Sequence, residues 1–168
     1  MTLTSTLRVD LVATQTNALD LVTPTVPLSY KNIYDWANGT GADQADAIFT
    51  DTRTLAASTA EDIDLNAALT DALGASFVLT KLKMLIIKAA AANTNDVVIG
   101  GAATNTFTLA GLFVDPTDKI NIKPGGMFVW VAPNAAAIAV AAGSADTLKI
   151  ANSSSGSSVT YDIVVIGV

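Results

Sequence analysis

Apolar side chains return at every second position in short segments along much of this chain, and a repeat of two suits extended strands and not helices of 3.6 residues per turn. Leu3, Leu7, Val9 and Leu11 fall on one side of the first segment, with Thr2, Thr4, Thr6, Arg8 and Asp10 on the other, which predicts a half-buried strand. The run from Lys81 to Lys88 is too short and too rich in branched side chains to favour a helix, so a second strand is expected there. Ile120 and Ile122 alternate with Lys119, Asn121 and Lys123 ahead of Pro124-Gly125-Gly126, where a fixed φ followed by tolerance of positive φ predicts a tight turn. Met127 to Val131 is apolar on both faces, as in a strand covered on both sides. Near the C-terminus, Leu148 and Ile150 precede a polar loop from Asn152 to Ser158, and Thr160 to Ile166 is again strand-like. These two segments are expected to pair as a hairpin, with the terminus locked into a sheet.

One stretch carries both signals. Ser58 to Glu61 fits a helix capping box, and Leu65, Leu69, Ala72 and Leu73 follow at helical spacing before Gly74. Glu61 to Leu65 alternates strictly, however, so strand then turn is predicted, and at most one short helix. No linker, boundary or internal repeat interrupts residues 1–168. The expectation is a single all-β domain, an antiparallel β-sandwich of jelly-roll-like type.

The chain has no histidine and no cysteine. A Ser-His-Asp or Cys-His arrangement, a zinc site with nitrogen or sulfur ligands, and a disulfide framework are therefore excluded. Carboxylate, lysine, tyrosine and backbone chemistry remain, and no nucleophile–base pair is evident among them, so the chain is expected not to be an enzyme and to need no cofactor or metal. Nine Lys and Arg against fifteen Asp and Glu give a net charge of −6, which opposes contact with nucleic acid or anionic lipid. The first residues lack a basic and apolar leader, and no apolar run approaches the ~20 residues of a membrane span, so cytoplasmic synthesis, a soluble product and no membrane partner are expected.

Candidate sites compete with plainer roles. Asp43, Asp46, Glu61, Asp62 and Asp64 form the densest acidic group, but their spacing is not that of a calcium loop, and solvated charges explain them better. Gly39-Thr40-Gly41, Gly100-Gly101 and Gly125-Gly126 lack any phosphate-loop fingerprint and are expected to be turns. Lys81, Lys83 and Lys88 suit the guarding of an exposed strand edge. Tyr30, Tyr34 and Trp36 form a candidate interaction surface, as an aromatic platform or a subunit contact. Phe107, Leu109, Leu112 and Phe113, in an apolar stretch, extend that candidate surface, with Ala135 to Ala142 as a further low-entropy packing stretch; ordinary core is the alternative.

Two blocks resemble a family of tailed-bacteriophage virion structural proteins: Gly39 to Asp46 running on through Asp51 to Leu55, and Ile122 to Gly126 through Ala132-Pro133, Asp146 to Leu148 and Tyr161 to Gly167. Together they span a good half of the chain, and they are turn and strand signatures without catalytic residues. The resemblance implies a non-enzymatic component of the virion, assembled in the bacterial cytoplasm. A capsid decoration or cement protein is the first expectation, bound outside the head to the major capsid protein and to itself as a homotrimer. A tail-associated or connector protein is the second. Two other classes compete: a carbohydrate-binding jelly-roll module using Tyr30, Tyr34 and Trp36, and a metal-assisted hydrolase centred on Asp62 and Asp64.

Overall fold

The computed structural model describes residues 2–67, 69–109, 112, 113, 115 and 117–168. Among the described residues fourteen strands follow one another: β1 (Ser5–Thr16), β2 (Thr25–Asn38), β3 (Gln44–Ala45), β4 (Ala47–Leu55), β5 (Ala60–Asp64), β6 (Leu69–Thr70), β7 (Ser76–Phe77), β8 (Lys81–Ala89), β9 (Val97–Gly100), β10 (Lys119–Ile122), β11 (Met127–Val131), β12 (Ile138–Ala139), β13 (Thr147–Asn152) and β14 (Val159–Gly167). There is no α-helix among the described residues. The chain is all-β, as the alternation predicts.

Nine of these strands make two facing sheets, one in the order β11-β8-β14-β4 with β12 also paired to β8, the other in the order β10-β9-β13-β5. The pairing is nested: β4 with β14, β5 with β13, β8 with β11 and β9 with β10, all antiparallel. A long hairpin rolled up so that β14 and β13 also close on β8 and β9 gives this order, which is the two-sheet jelly roll. Alternation then fills the space between the sheets. Val159, Tyr161, Ile163 and Val165 of β14 and Leu85 and Ile87 of β8 meet Ile63, Ile99, Leu148 and Ile150 from the other sheet, all at most 1 % exposed. Burying each such Leu, Ile or Val stabilises the fold by about 1.5–3 kcal/mol relative to exposure.

Several expectations need correction. β13 and β14 do not pair as a hairpin, since they lie in opposite sheets, and the loop between them crosses the sandwich. Periodicity tells which residues share a face but not which strand receives the backbone bonds, and a short polar loop can return within a sheet or cross the ~10 Å to the other. Asn95 and Asn152 hold that loop: Asn95 Nδ2 donates to the carbonyls of Ser154 and Ser157, and Asn152 Nδ2 to that of Ser157. The turn at Pro124 is present, with Gly125 at φ 75° and Gly126 N–H donating to the Lys123 carbonyl, and it too crosses between sheets. β11 is an edge strand with both faces partly covered, Phe128 and Trp130 packing toward the inner core and Val131 toward the outer cluster, while Met127 is 60 % exposed.

The capping-box stretch is strand followed by turns. Asp64 Oδ1 accepts the N–H groups of Asn66 and Ala67, and Asp71 Oδ1 those of Leu73 and Ala75, so local side-chain acceptors stabilise turns where a helix would need backbone carbonyls. Lys81, Lys83 and Lys88 do not guard an edge, because β8 lies between β11 and β14.

Candidate functional site: a projecting hairpin arm

β1 and β2 pair along their whole lengths, from Ser5 opposite Trp36 to Thr16 opposite Thr25. Beyond the strands the ladder continues through Asn17 N–H to the Pro24 carbonyl and Leu19 N–H to the Val22 carbonyl, so the chain reverses at Asp20 and Leu21. Register sorts the side chains into two faces. Leu7, Val9, Leu11 and Ala13 stand opposite Tyr34, Asn32, Tyr30 and Leu28, with Gln15 opposite Val26, on one face. Thr6, Arg8, Asp10, Val12 and Thr14 stand opposite Asp35, Ile33, Lys31, Ser29 and Pro27 on the other, which is the more polar face. The ribbon is amphipathic.

Its apolar face is covered only at the base. There Leu3 and Trp36 are buried with Ala45, Met84 and Ile166, and Leu7 and Tyr34 pack beside them against Ile86, Val131 and Val164. These partners lie on the outer side of the sheet containing β8 and β14, away from the main core. Exposure then rises along the same face, from 1 % at Trp36 to 42 % at Val9, 53 % at Leu11, 54 % at Tyr30 and 63 % at Val26. At the tip Leu21 is 94 % exposed. The first segment is thus a strand of the predicted pattern, starting at Ser5 and not at Leu3, whose apolar face is half-buried only at its root.

The candidate surface residues separate accordingly. Tyr30 is on the open face of the arm, and Tyr34 is half-buried and stacked on Trp36 with centroids 6.0 Å apart and planes 17° from parallel. Trp36 is buried and offers no face to a ligand. Phe107, Leu109 and Phe113 are core residues at 2 %, 0 % and 3 % exposure, so they are not part of a surface; Leu112 is exposed at 36 %. Those three belong to the main core cluster, where an apolar side chain gains more from filling the interior than from waiting for a partner. Sequence reasoning missed further exposed apolar residues of the arm, Leu19, Leu21, Val22, Val26 and Leu28 toward the tip and Val12 and Ile33 on the opposite face, all more than half exposed. Their signal was length, since strands of 12 and 14 residues joined by one short loop far exceed the usual 5–6 and overrun a sandwich.

The polar groups do structural work. Among the described residues no three acidic side chains converge as a metal site. Glu61 joins the two sheets: its Oε1 accepts from Tyr161 Oη at 2.5 Å and its Oε2 from Arg53 Nη1 at 2.5 Å, while Arg53 Nε donates to Asp51 at 3.0 Å. Lys83 is fully buried, its ammonium donating to the carbonyls of Gly41 and Asn134, and desolvation together with the charge of Lys81 lowers its pKa. Thr6 and Thr52 also donate their hydroxyls to carboxylates, of Asp35 and Asp162, at exposed positions across the strand ladders. The chain matches no protein-family model, no curated protein and no solved structure.

Burial, and then the bond to Glu61, push the Tyr161 phenol well above its ordinary pKa near 10. The folded protein therefore holds a proton that the unfolded chain releases above about pH 10. The stability from this group is complete below that pH and is lost as pH rises beyond it. Alkaline unfolding is expected to coincide with a step in tyrosinate absorbance, and that step should lose the Tyr161 contribution in Tyr161→Phe; ionisation of Tyr161 well before unfolding would refute the assignment.

Proposed function

We propose that this chain is a non-enzymatic structural subunit of a tailed-phage virion, a decoration or cement protein that binds the outside of the head and stabilises contacts between shell subunits. The observation that carries the structural-subunit part is the arm: a ribbon with one uncovered apolar face is suited to assembly and has no evident use in an isolated domain. The virion part rests on the resemblance of the blocks at residues 39–55 and 122–167. The jelly roll is compatible with it and decides little alone, because lectins, cupins and capsid proteins share that architecture. A net charge of −6 favours a place outside a DNA-filled shell over one inside it. In this reading the partners are the major capsid protein and further copies of the chain, as a trimer.

The carbohydrate reading loses its support with Trp36 buried, since a sugar-stacking platform needs that ring face open. The hydrolase reading fares no better: Asp64 is engaged in turning the chain after β5, and Asp62 stands across from Lys149 in the ladder. The test is an inventory and image of purified particles. The chain should be present in proportion to the major capsid protein and lie on the head exterior, and particles lacking it should burst at lower temperature or milder osmotic shock. Placement on the tail alone, with head stability unchanged by its removal, would substitute the tail-associated reading.

A further inference from the structure

We propose that the arm's open apolar face docks on a second copy of this chain, against the outer side of that copy's β8–β14 sheet beside the root of its own arm. The docking presupposes the assembly-subunit role proposed above, and it specifies which surface is used and what covers it.

Continuity is the first argument. One ribbon face passes without a break from Trp36 and Leu7, which are covered, to Leu11, Leu28 and Tyr30, which are not. What covers the root is the chain's own sheet, through Met84, Ile166, Ile86, Val131 and Val164. That sheet face is therefore already matched in chemistry to this ribbon. It also runs on past the root: Ile86, Val164 and Val129 are only partly buried, and Met127 at its margin is 60 % exposed. The same molecule thus carries an uncovered ribbon and an incompletely covered sheet of the kind that accepts it. The arm cannot cover its own sheet further, because from Arg8 and Ile33 outward it stands away from the body, over roughly 40 Å to the tip at about 3.3 Å per residue.

Area is the second argument. The chain exposes 8938 Å². A compact monomer of 17.2 kDa exposes about 7,800 Å², so the surplus is roughly 1,100 Å². That surplus, which the arm's two faces share, is comparable to the ~800 Å² that a standard stable interface takes from each partner. A two-stranded ribbon is also marginal in water by itself, so an arm of this length needs a third layer to hold its shape.

Charge is the third. Residues 5–38 carry Arg8 and Lys31 against Asp10, Asp20 and Asp35, a net −1 of the chain's −6. All five lie off the open apolar face: Arg8, Asp10, Lys31 and Asp35 on the opposite face, and Asp20 at the tip. Docking therefore buries no like-charged pair. A head-to-tail contact of this kind uses different patches on the two copies and closes into a ring when the rotation permits, as in a trimer.

The experiment uses the full chain and three readouts. Sedimentation should give a mass that is a multiple of 17.2 kDa at micromolar concentration. Leu11→Lys combined with Leu28→Lys should weaken self-association by roughly 100-fold or more, since two apolar anchors are lost. Val12→Lys, on the opposite face, should leave it within a few-fold, and unchanged circular dichroism checks that each variant is folded. Because the chain has no cysteine, Leu28→Cys mixed with Val129→Cys under oxidation should give a dimer of mixed composition that neither variant gives alone. A wild-type monomer at tens of micromolar overturns the proposal, as does an oligomer indifferent to the double substitution, or crosslinking of Leu28→Cys only to itself. An arm that gains mass only on vesicles or on the major capsid protein also overturns it. A monomer that nonetheless decorates phage heads would leave the virion reading intact, and an arm-dependent oligomer absent from particles would sink that reading and spare this one.

Discussion

Replacing Trp36 with alanine is expected to free the root of the hairpin arm from the body while the jelly roll stays folded. Trp36 is the largest side chain of the small outer cluster, whose other buried members are Leu3, Ala45, Met84 and Ile166. Truncating a buried tryptophan costs about 3–5 kcal/mol, and five residues offer little slack to close the cavity. The loss should fall on the arm, because the inner core shares none of these side chains. The bond from Ala37 to the Asp43 carbonyl and the two-residue ladder between β2 and β3 are too few to hold it alone. Hydrogen exchange should then accelerate across residues 5–38 by at least tenfold, while amides of β9 and β13 keep their protection. Trp36→Phe should cost well under half as much: the indole Nε1 is buried without an acceptor, so its removal breaks no hydrogen bond. Loss of protection throughout the sandwich in Trp36→Ala would show that arm and body unfold as one. The same geometry means that a loss of ligand binding in Trp36→Ala would report a displaced arm and not a lost stacking surface.

The architecture was legible wherever alternation was strict. β14 and β8 stand within a residue of where Thr160 to Ile166 and Lys81 to Lys88 placed them, and strand followed by turn holds after Ala60. Pairing was less legible. Leu148 and Ile150 carry the same alternation whether β13 bonds to β14 or, as it does, to β5 and β9. Lys83 shows the limit from another side. A lysine in a strand is expected at the surface, yet this one is buried because the Gly41 and Asn134 carbonyls, 42 and 51 residues away along the chain, replace its water. No local pattern announces acceptors so distant. Of the arm only β1 was legible as a strand; β2 was not, with Pro27 inside it and polar residues around Tyr30, and the projection was not, since Leu11 looks like core by the rule that places apolar faces inside. Only the unusual length of β1 and β2 tells the two apart. The candidate surface therefore kept Tyr30 and mistook Phe107, Leu109 and Phe113, whose loop supplies buried core. Chemistry that requires histidine or cysteine is removed whatever the fold, because neither residue occurs in the sequence.

Gly167→Ala, one residue from the C-terminus, is expected to be among the most destabilising small substitutions in the chain. A terminal position is usually tolerant, since termini fray. Here the last residues are clamped: Val168 and Lys81 exchange backbone hydrogen bonds, both 2.9 Å, Thr80 N–H also donates to the Val168 carbonyl, and Asp46 N–H donates to Gly167. The ladder between β14 and β8 shifts register between Ile166 and Gly167, which brings the two backbones unusually close. A Cβ on Gly167 would lie 2.2 Å from the Lys81 carbonyl oxygen and 2.6 Å from Leu79 Cδ2. The first contact is with backbone, so no rotamer change relieves it. The end of β14 must part from β8, at a cost of about 3 kcal/mol, the upper part of the range for overpacking. For a domain of this size that lowers the melting temperature by roughly 6–12 °C. Gly74→Ala separates this cause from backbone strain. Gly74 has φ 84°, so alanine there is strained, but no atom lies within 4 Å of its new Cβ, and a cost of about 1–2 kcal/mol is expected. Thermal melts of the two variants decide the point: a Gly167→Ala protein no less stable than Gly74→Ala would mean that the terminal strand yields freely, and that the clamp at Lys81 contributes little to the fold.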